Sequence, residues 1–253
     1  MISRRNFIKI CASTLASISC SEILFQLPIS GASNRQIPIL VYHRVGYTTD
    51  NFTVTPERFA NDLQILQDYG YCTITLEQLQ TFLADRTIEL PDRPILITFD
   101  DGYLDNYENA YPILKRYGMV ATFFIITGML WTPDRLTPER IVEMAQGGMS
   151  FGSHTVTHRP LGRLVWSEIC DELVNSKAVL ESVLGRTVNA IAYPQGSYNE
   201  NVQMVADNVG YSTGFTVREG ICVKSSPDFQ LRRIPIFKYD RGIIDVMESR
   251  GGI

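Results

Sequence analysis

Histidine is scarce in this chain: 253 residues contain three, His43, His154 and His158. Any chemistry that uses imidazole must draw on these. Cysteine is nearly as scarce. Of five, Cys11 and Cys20 fall in the first thirty residues. Cys72, Cys170 and Cys222 lie far apart, and no Cys-x-x-Cys occurs. This argues against a disulfide framework and for packing thiols. Charge of one sign is not in excess: 27 acidic against 23 basic residues, net −4, leave no basic face for a nucleic-acid partner. Low-complexity segments and charge runs are absent. No Gly-rich phosphate fingerprint follows an apolar run, which speaks against a nucleotide fold. What remains, 45% hydrophobic and 20% charged residues, suffices for one large α/β domain or two small ones.

The first 32 residues read separately from the rest. "SRRNFIK" (Ser3 to Lys9) precedes a mildly apolar run. An Arg pair before Phe and a weakly hydrophobic segment resembles a twin-arginine export signal. The run is too short and polar for a membrane span. Small residues at Ser30-Gly31-Ala32 suit a signal peptidase. Cys20 keeps a lipidated anchor open as the alternative, so membrane association is expected only through this segment. The expectation is a periplasmic or extracellular protein.

From Ile37 to the end, short apolar runs alternate with helical patterns. "TPERFANDLQILQDYG" has Thr55 as N-cap, Pro56 at the first helical position and Gly70 at its end. About eight strands emerge, most followed by a helix. Runs apolar on both faces predict a parallel sheet covered by helices. Polar residues sit late in four of these strands: His43, then Asp100 and Asp101, then His154 and His158, then Tyr193-Pro194. A closed or nearly closed (β/α) barrel brings strand C-termini to one face. An open doubly wound sheet places its site between two strands at one switch point. Four contributing strands favour the barrel.

"PILITFDDG" places two adjacent carboxylates at the end of a buried strand. Burying like charges is costly unless something compensates them. "SHTVTH" sets two imidazoles four residues apart, the spacing that puts both on one side of a helical turn and grips Zn²⁺. Each motif alone has an ordinary explanation, a helix cap or a solvated helix face. Together they call for a divalent cation. One Asp ligates it. The other, pointing elsewhere on extended backbone, stays ionised and handles protons. Two His and one Asp leave an open position for catalysis.

"TFDDG", "SHTVTH" and "AYPQG", in this order on a β/α chain, closely resemble the polysaccharide deacetylases of carbohydrate esterase family 4, the NodB-homology fold. The likeness covers roughly residues 37 to 240. It implies a distorted (β/α) barrel and metal-dependent removal of N-acetyl groups from an amino-sugar polysaccharide such as poly-N-acetylglucosamine, chitin or peptidoglycan. Zn²⁺, or another divalent ion such as Co²⁺ or Ni²⁺, is the implied cofactor. In the family pattern Asp100 is the base and Asp101, His154 and His158 the ligands. The peptide N–H of Tyr193 matches the position that stabilises the oxyanion.

The chain departs from that pattern in three places. Ala192 stands where many members carry an Arg that orients the base. The late Asp-x-x-Asp-Trp and Leu-x-His motifs, the latter holding the general acid, are missing. A branch of the family, the exported poly-β-1,6-N-acetylglucosamine deacetylases, is similar in three respects. It uses a His in an N-terminal Tyr-His segment as acid, has Ala-Tyr-Pro at the third motif, and has an Arg-x-Pro strand near the end. This assigns His43 as acid and Arg233 as a candidate for the missing Arg, against a surface role. Tyr193, Pro194, Arg233 and Trp131 are placed on the substrate side of the site. Trp131 has two readings, stacking on a sugar or packing against the following helix, and Tyr103 is left undecided. The rival functions are O-acetyl esterase on xylan or peptidoglycan, and glycan binding without catalysis.

Overall fold

A computed structural model describes residues 35–253. The export segment, residues 1–32, and with it Cys11 and Cys20, lies outside the described residues. Eight strands form the main sheet: β1 (Ile39–Tyr42), β2 (Tyr71–Thr73), β3 (Arg93–Phe99), β4 (Thr122–Ile125), β5 (Ser150–Ser153), β6 (Ala190–Ala192), β7 (Thr213–Phe215) and β8 (Ile234–Pro235). Their order is β7-β6-β5-β4-β3-β1-β8, with β2 paired to the first half of β3. Every pairing in this sheet is parallel. The sheet curls until its edges meet through a single bridge, Phe215 to Leu231, and an Arg233 N–H to Arg218 carbonyl bond of 3.0 Å. A parallel barrel was expected, and the distortion is this weak seam.

Among the described residues, seven α-helices accompany the strands: α1 (Pro56–Asp68), α2 (Leu76–Leu83), α3 (Tyr111–Arg116), α4 (Pro138–Gln146), α5 (Trp166–Leu184), α6 (Glu200–Val209) and α7 (Ile243–Val246). Helix α1 begins as its sequence requires. The Thr55 hydroxyl accepts from the Arg58 N–H at 3.2 Å, and Gly70 follows the end at φ +75°. Just before α3, Asn106–Ala110 form a π-helical turn.

Alternation along β3 sorts two cores. Ile95, Ile97 and Phe99 pack with Phe59 and Leu63 of α1. Leu96, one step out of phase, packs with Phe124, Ala190 and Phe215. The period of two along a strand carries this alternation to Thr98 and Asp100, on the second face, inside the curl. The three described cysteines are free. Cys222 is buried as a packing thiol should be, Cys170 is partly so, and Cys72 is exposed, contrary to expectation.

Candidate active site

The Asp pair splits at the end of β3. The Asp100 N–H still belongs to the ladder and donates to the Tyr42 carbonyl at 3.0 Å. Asp101 then turns to φ +73°, followed by Gly102 at +65°. This left-handed step is uncommon for a residue with a Cβ, and it ends the strand so that the two carboxylates part. A methyl group on Gly102 would come within 2.9 Å of Ile125 Cδ1, so a side chain there adds a close contact to the backbone strain.

Asp100 is 2% exposed and points into the curl. Arg233, fully buried, grips it with two parallel bonds, Nη1 to Oδ1 at 2.8 Å and Nη2 to Oδ2 at 2.6 Å. The guanidinium is itself held by the Thr216 carbonyl at Nε, 2.8 Å, and by Thr98 Oγ1 at 3.3 Å. Such a fork is the strongest ion-pair geometry that side chains offer. Burial alone pushes the Asp100 carboxyl up. The charges of Arg233 and His154 outweigh it, and its pKa lies below the ordinary carboxylate value. Arg233 therefore meets the carboxylate that Ala192 cannot reach. It is not on the substrate side: it lies behind Asp100, outside the residues that line the cavity.

The histidine pair is not on a helical turn, as its spacing suggested. Strand β5 ends at Ser153, and residues 154–158 form an irregular loop with Thr155 at φ +67° and His158 at +61°. Glu172 of α5 pins that loop from below. Its Oε2 accepts the N–H groups of Val156 at 2.8 Å and Thr157 at 2.9 Å, and its Oε1 accepts the Thr157 hydroxyl. Glu172→Ala takes the acceptor from two amides that are only partly buried. It is expected to lower stability by about 1 kcal/mol, read as a fall in Tm of roughly 2–4 °C.

The loop aims both imidazoles at Asp101. His154 Nδ1 faces the Ala192 carbonyl at 2.7 Å. Donation there leaves Nε2 without a proton, and Nε2 lies 3.4 Å from Asp101 Oδ1. His158 Nε2 is also 3.4 Å from that oxygen. The three ligand atoms lie within 4.8 Å of one another. Asp101 Oδ1 is buried and accepts no hydrogen bond. Donors about 2.1 Å from a tetrahedral ion stand about 3.4 Å apart, so the trio fits a divalent cation. Asp100 stands outside this trio, and both of its oxygens are bonded to Arg233. The fields agree. Burial lowers the His154 pKa, but the two carboxylates more than offset it and raise it. Burial raises the Asp101 carboxyl, and the neighbouring imidazoles of His154, His43 and His158 carry it far below its usual range.

His43 follows β1 and faces the same space. A cavity of about 710 Å³ is lined by His43, Asp100, Asp101, Tyr103, His154 and His158, with Phe52 and Phe237 among its apolar walls. That volume suits a small-molecule or sugar-unit site. The His43 ring lies 4.7 Å from the Phe52 ring. Burial lowers its pKa, Asp100 and Asp101 oppose this, and the net direction is downward.

Tyr193, Pro194 and Trp131, like Arg233, do not line the cavity. The Tyr193 N–H is committed to the sheet, donating to the Phe215 carbonyl at 3.0 Å, and its ring stacks on Tyr198. It cannot also serve an oxyanion. Pro194 is buried at the start of a tight turn, Pro194–Gly196. That turn presents Gln195 to the cavity, at φ +57°, a residue the sequence reading passed over beside its more familiar neighbours. Trp131 is 68% exposed, and it lies outside the cavity lining. Tyr103 does line the cavity, with the guanidiniums of Arg44 and Arg135 over its ring at 4.2 and 3.8 Å.

Known proteins share this arrangement of the chain. A sequence model of the family described as polysaccharide deacetylase matches residues 87–214. The chain is 35% identical to the Bacillus subtilis (strain 168) protein YxkH, whose name places it among polysaccharide deacetylases, over 79% of this chain and 71% of that one. It is 29% identical to the poly-β-1,6-N-acetyl-D-glucosamine N-deacetylase of Staphylococcus aureus (strain MRSA252), over 74% and 68%. Among solved structures, the Streptococcus pyogenes deacetylase PplD in complex with acetate superposes with a TM-score of 0.80 at 32% identity. That match covers 85% of this chain and 98% of that one.

Proposed function

Because the chain belongs to the polysaccharide deacetylase family, and is a deacetylase hydrolase with it, we propose that it removes N-acetyl groups from an amino-sugar polysaccharide. One observation carries this reading: a three-donor cation site, an Arg-gripped carboxylate and a histidine line a single cavity. Asp101, His154 and His158 would hold the ion, Zn²⁺ or another divalent metal such as Co²⁺ or Ni²⁺. Such an ion supplies Lewis-acid chemistry, acidifying water toward neutral pH and polarising a carbonyl oxygen.

The chain's own residues do the rest. Asp100 takes the proton of the attacking water. Each carboxylate oxygen has a second lone pair free after the Arg233 bonds. His43 delivers a proton to the departing amine nitrogen, and acetate and a glucosamine unit leave. Gln195, on the cavity wall, replaces Tyr193 as the candidate donor to the acyl oxygen. Trp131 is exposed and available to a polymer extending beyond the cavity.

The S. aureus relative's name makes poly-β-1,6-N-acetylglucosamine the first substrate to test. Acetate release should appear with it, vanish on chelation and return with added Zn²⁺. Release from acetylated xylan alone would support the esterase reading instead. Glycan binding without any release would overturn the proposal. Asp101→Asn should weaken cation binding by about tenfold or more by calorimetry, since even outer partners of a ligand are worth 10–100-fold. Export to the cell envelope is inferred from the twin-arginine-like segment alone. Among the described residues no helix is long and apolar enough to cross a membrane.

A further inference from the structure

The proton donor has no partner to orient it. His43 Nδ1 is buried and makes no hydrogen bond. In many acid–base histidines a carboxylate on that nitrogen fixes the ring. Something else must hold this one, because a displacement of about 1 Å costs on the order of 10²-fold in rate.

The backbone around His43 supplies the answer. After Tyr42 the chain leaves the main sheet. On one side residues 44–45 pair with 53–54, and the Gly46 N–H reaches the Val54 carbonyl at 2.9 Å. On the other side no strand is paired with them. Side chains from the start of the π-helical turn take that place. Asn106 Nδ2 donates to the His43 carbonyl at 2.9 Å. Asn109 Nδ2 donates to the Val45 carbonyl at 2.7 Å. Asp105 accepts the Val45 N–H at Oδ1, 3.3 Å, and Arg44 Nε at Oδ2, 2.7 Å. Asn106 is fully buried and also donates to Asp105 Oδ1 at 3.1 Å. A regular α-helix advances 100° per residue, whereas π turns are wider and cluster at functional sites. Here the wide turn brings positions 105, 106 and 109 to bear on one strand.

We propose that Asn106, with Asp105 and Asn109, is a positioning device for His43. The same stretch, residues 100–109, carries the Asp100 carboxylate at its start and grips the His43 backbone at its end. Proton acceptor and proton donor are thereby fixed to one rigid piece of chain. This rests on the reading of His43 as the acid.

The test exploits the leaving group. An N-acetylglucosamine oligomer must have its amine protonated as it departs. 4-Nitrophenyl acetate releases a phenolate that needs no proton. With Zn²⁺-loaded enzyme, His43→Ala should lower kcat on the oligomer by about 10²-fold or more and change ester turnover by less than about threefold. Asn106→Ala should show the same selectivity, with a loss of about tenfold or more on the oligomer. Combining the two should be no worse than His43→Ala alone. Equal losses on both substrates, or additive losses in the double variant, would overturn the positioning role. If His43→Ala itself shows no selectivity, the acid assignment fails and this inference with it. Asn109→Ala, at a half-buried position, repeats the test should Asn106→Ala not fold.

Discussion

Asn in place of Asp100 is expected to lower kcat for acetate release by about 10²–10⁴-fold, the usual worth of a positioned base, with cation content unchanged. The geometry separates the two effects. The residues that could hold a cation are Asp101, His154 and His158, while both Asp100 oxygens face Arg233. An amide has no basic lone pair to take a proton from water, yet leaves the donor trio intact. Zinc measured by elemental analysis on the same preparation used for kinetics checks both halves. Loss of metal along with rate would assign Asp100 to the ligands. Near-normal turnover would remove it from the reaction. Some loss of stability should accompany the change, because Arg233 keeps its charge and loses its counter-charge.

The converse substitution, Arg233→Met, should destabilise the fold by about 3–5 kcal/mol, the cost of breaking a buried pair and leaving one charge unmatched. Methionine keeps much of the volume, so the loss reports charge rather than cavity. The pH dependence is distinctive, and is best read on protein stripped of metal. In the wild type the Asp100 pKa is depressed below its ordinary 3.8. The pair then contributes fully above that value and is lost as pH falls below it. Without Arg233, burial is opposed only by the neighbouring histidines, and the carboxyl rises from its depressed value. The gap between wild type and variant should therefore widen as pH rises through that higher pKa in chemical denaturation. A gap constant with pH would mean that Arg233 acts by packing alone. In the loaded enzyme the acidic limb of the rate profile should move up. Adding Asp100→Asn to Arg233→Met should recover part of the stability, as removing both charges commonly does.

The fold was largely legible because its signals are local. Period-two and unbroken apolar runs mark parallel strands, and Thr55-Pro56 with Gly70 mark a helix end to end. The cation trio was legible for a related reason. His154 and His158 are four apart, and Asp100-Asp101 is a pair that buried backbone tolerates only beside a positive charge. Which aspartate lies beside the two histidines was not readable from spacing. It turns on the left-handed step at Asp101 and on the direction from which Arg233 arrives.

Where local pattern was trusted for three-dimensional detail, it misled. Four-residue spacing suggested a helical turn for His154 and His158, but Glu172, from a helix beginning eight residues later, stabilises an irregular loop instead. The family resemblance suggested that Tyr193 offers its N–H to an oxyanion, yet the Phe215 carbonyl on β7 accepts it. What the chain determines by itself is the alternation of strand and helix and the set of groups able to bind a cation and move protons. What only the folded barrel decides is who faces whom. Arg233 meets Asp100 across 133 residues of sequence, and Asn106 meets His43 across 63. Those pairings depend on which strands become neighbours as the sheet curls, and strand order is a property of the whole chain's packing rather than of any short run of residues.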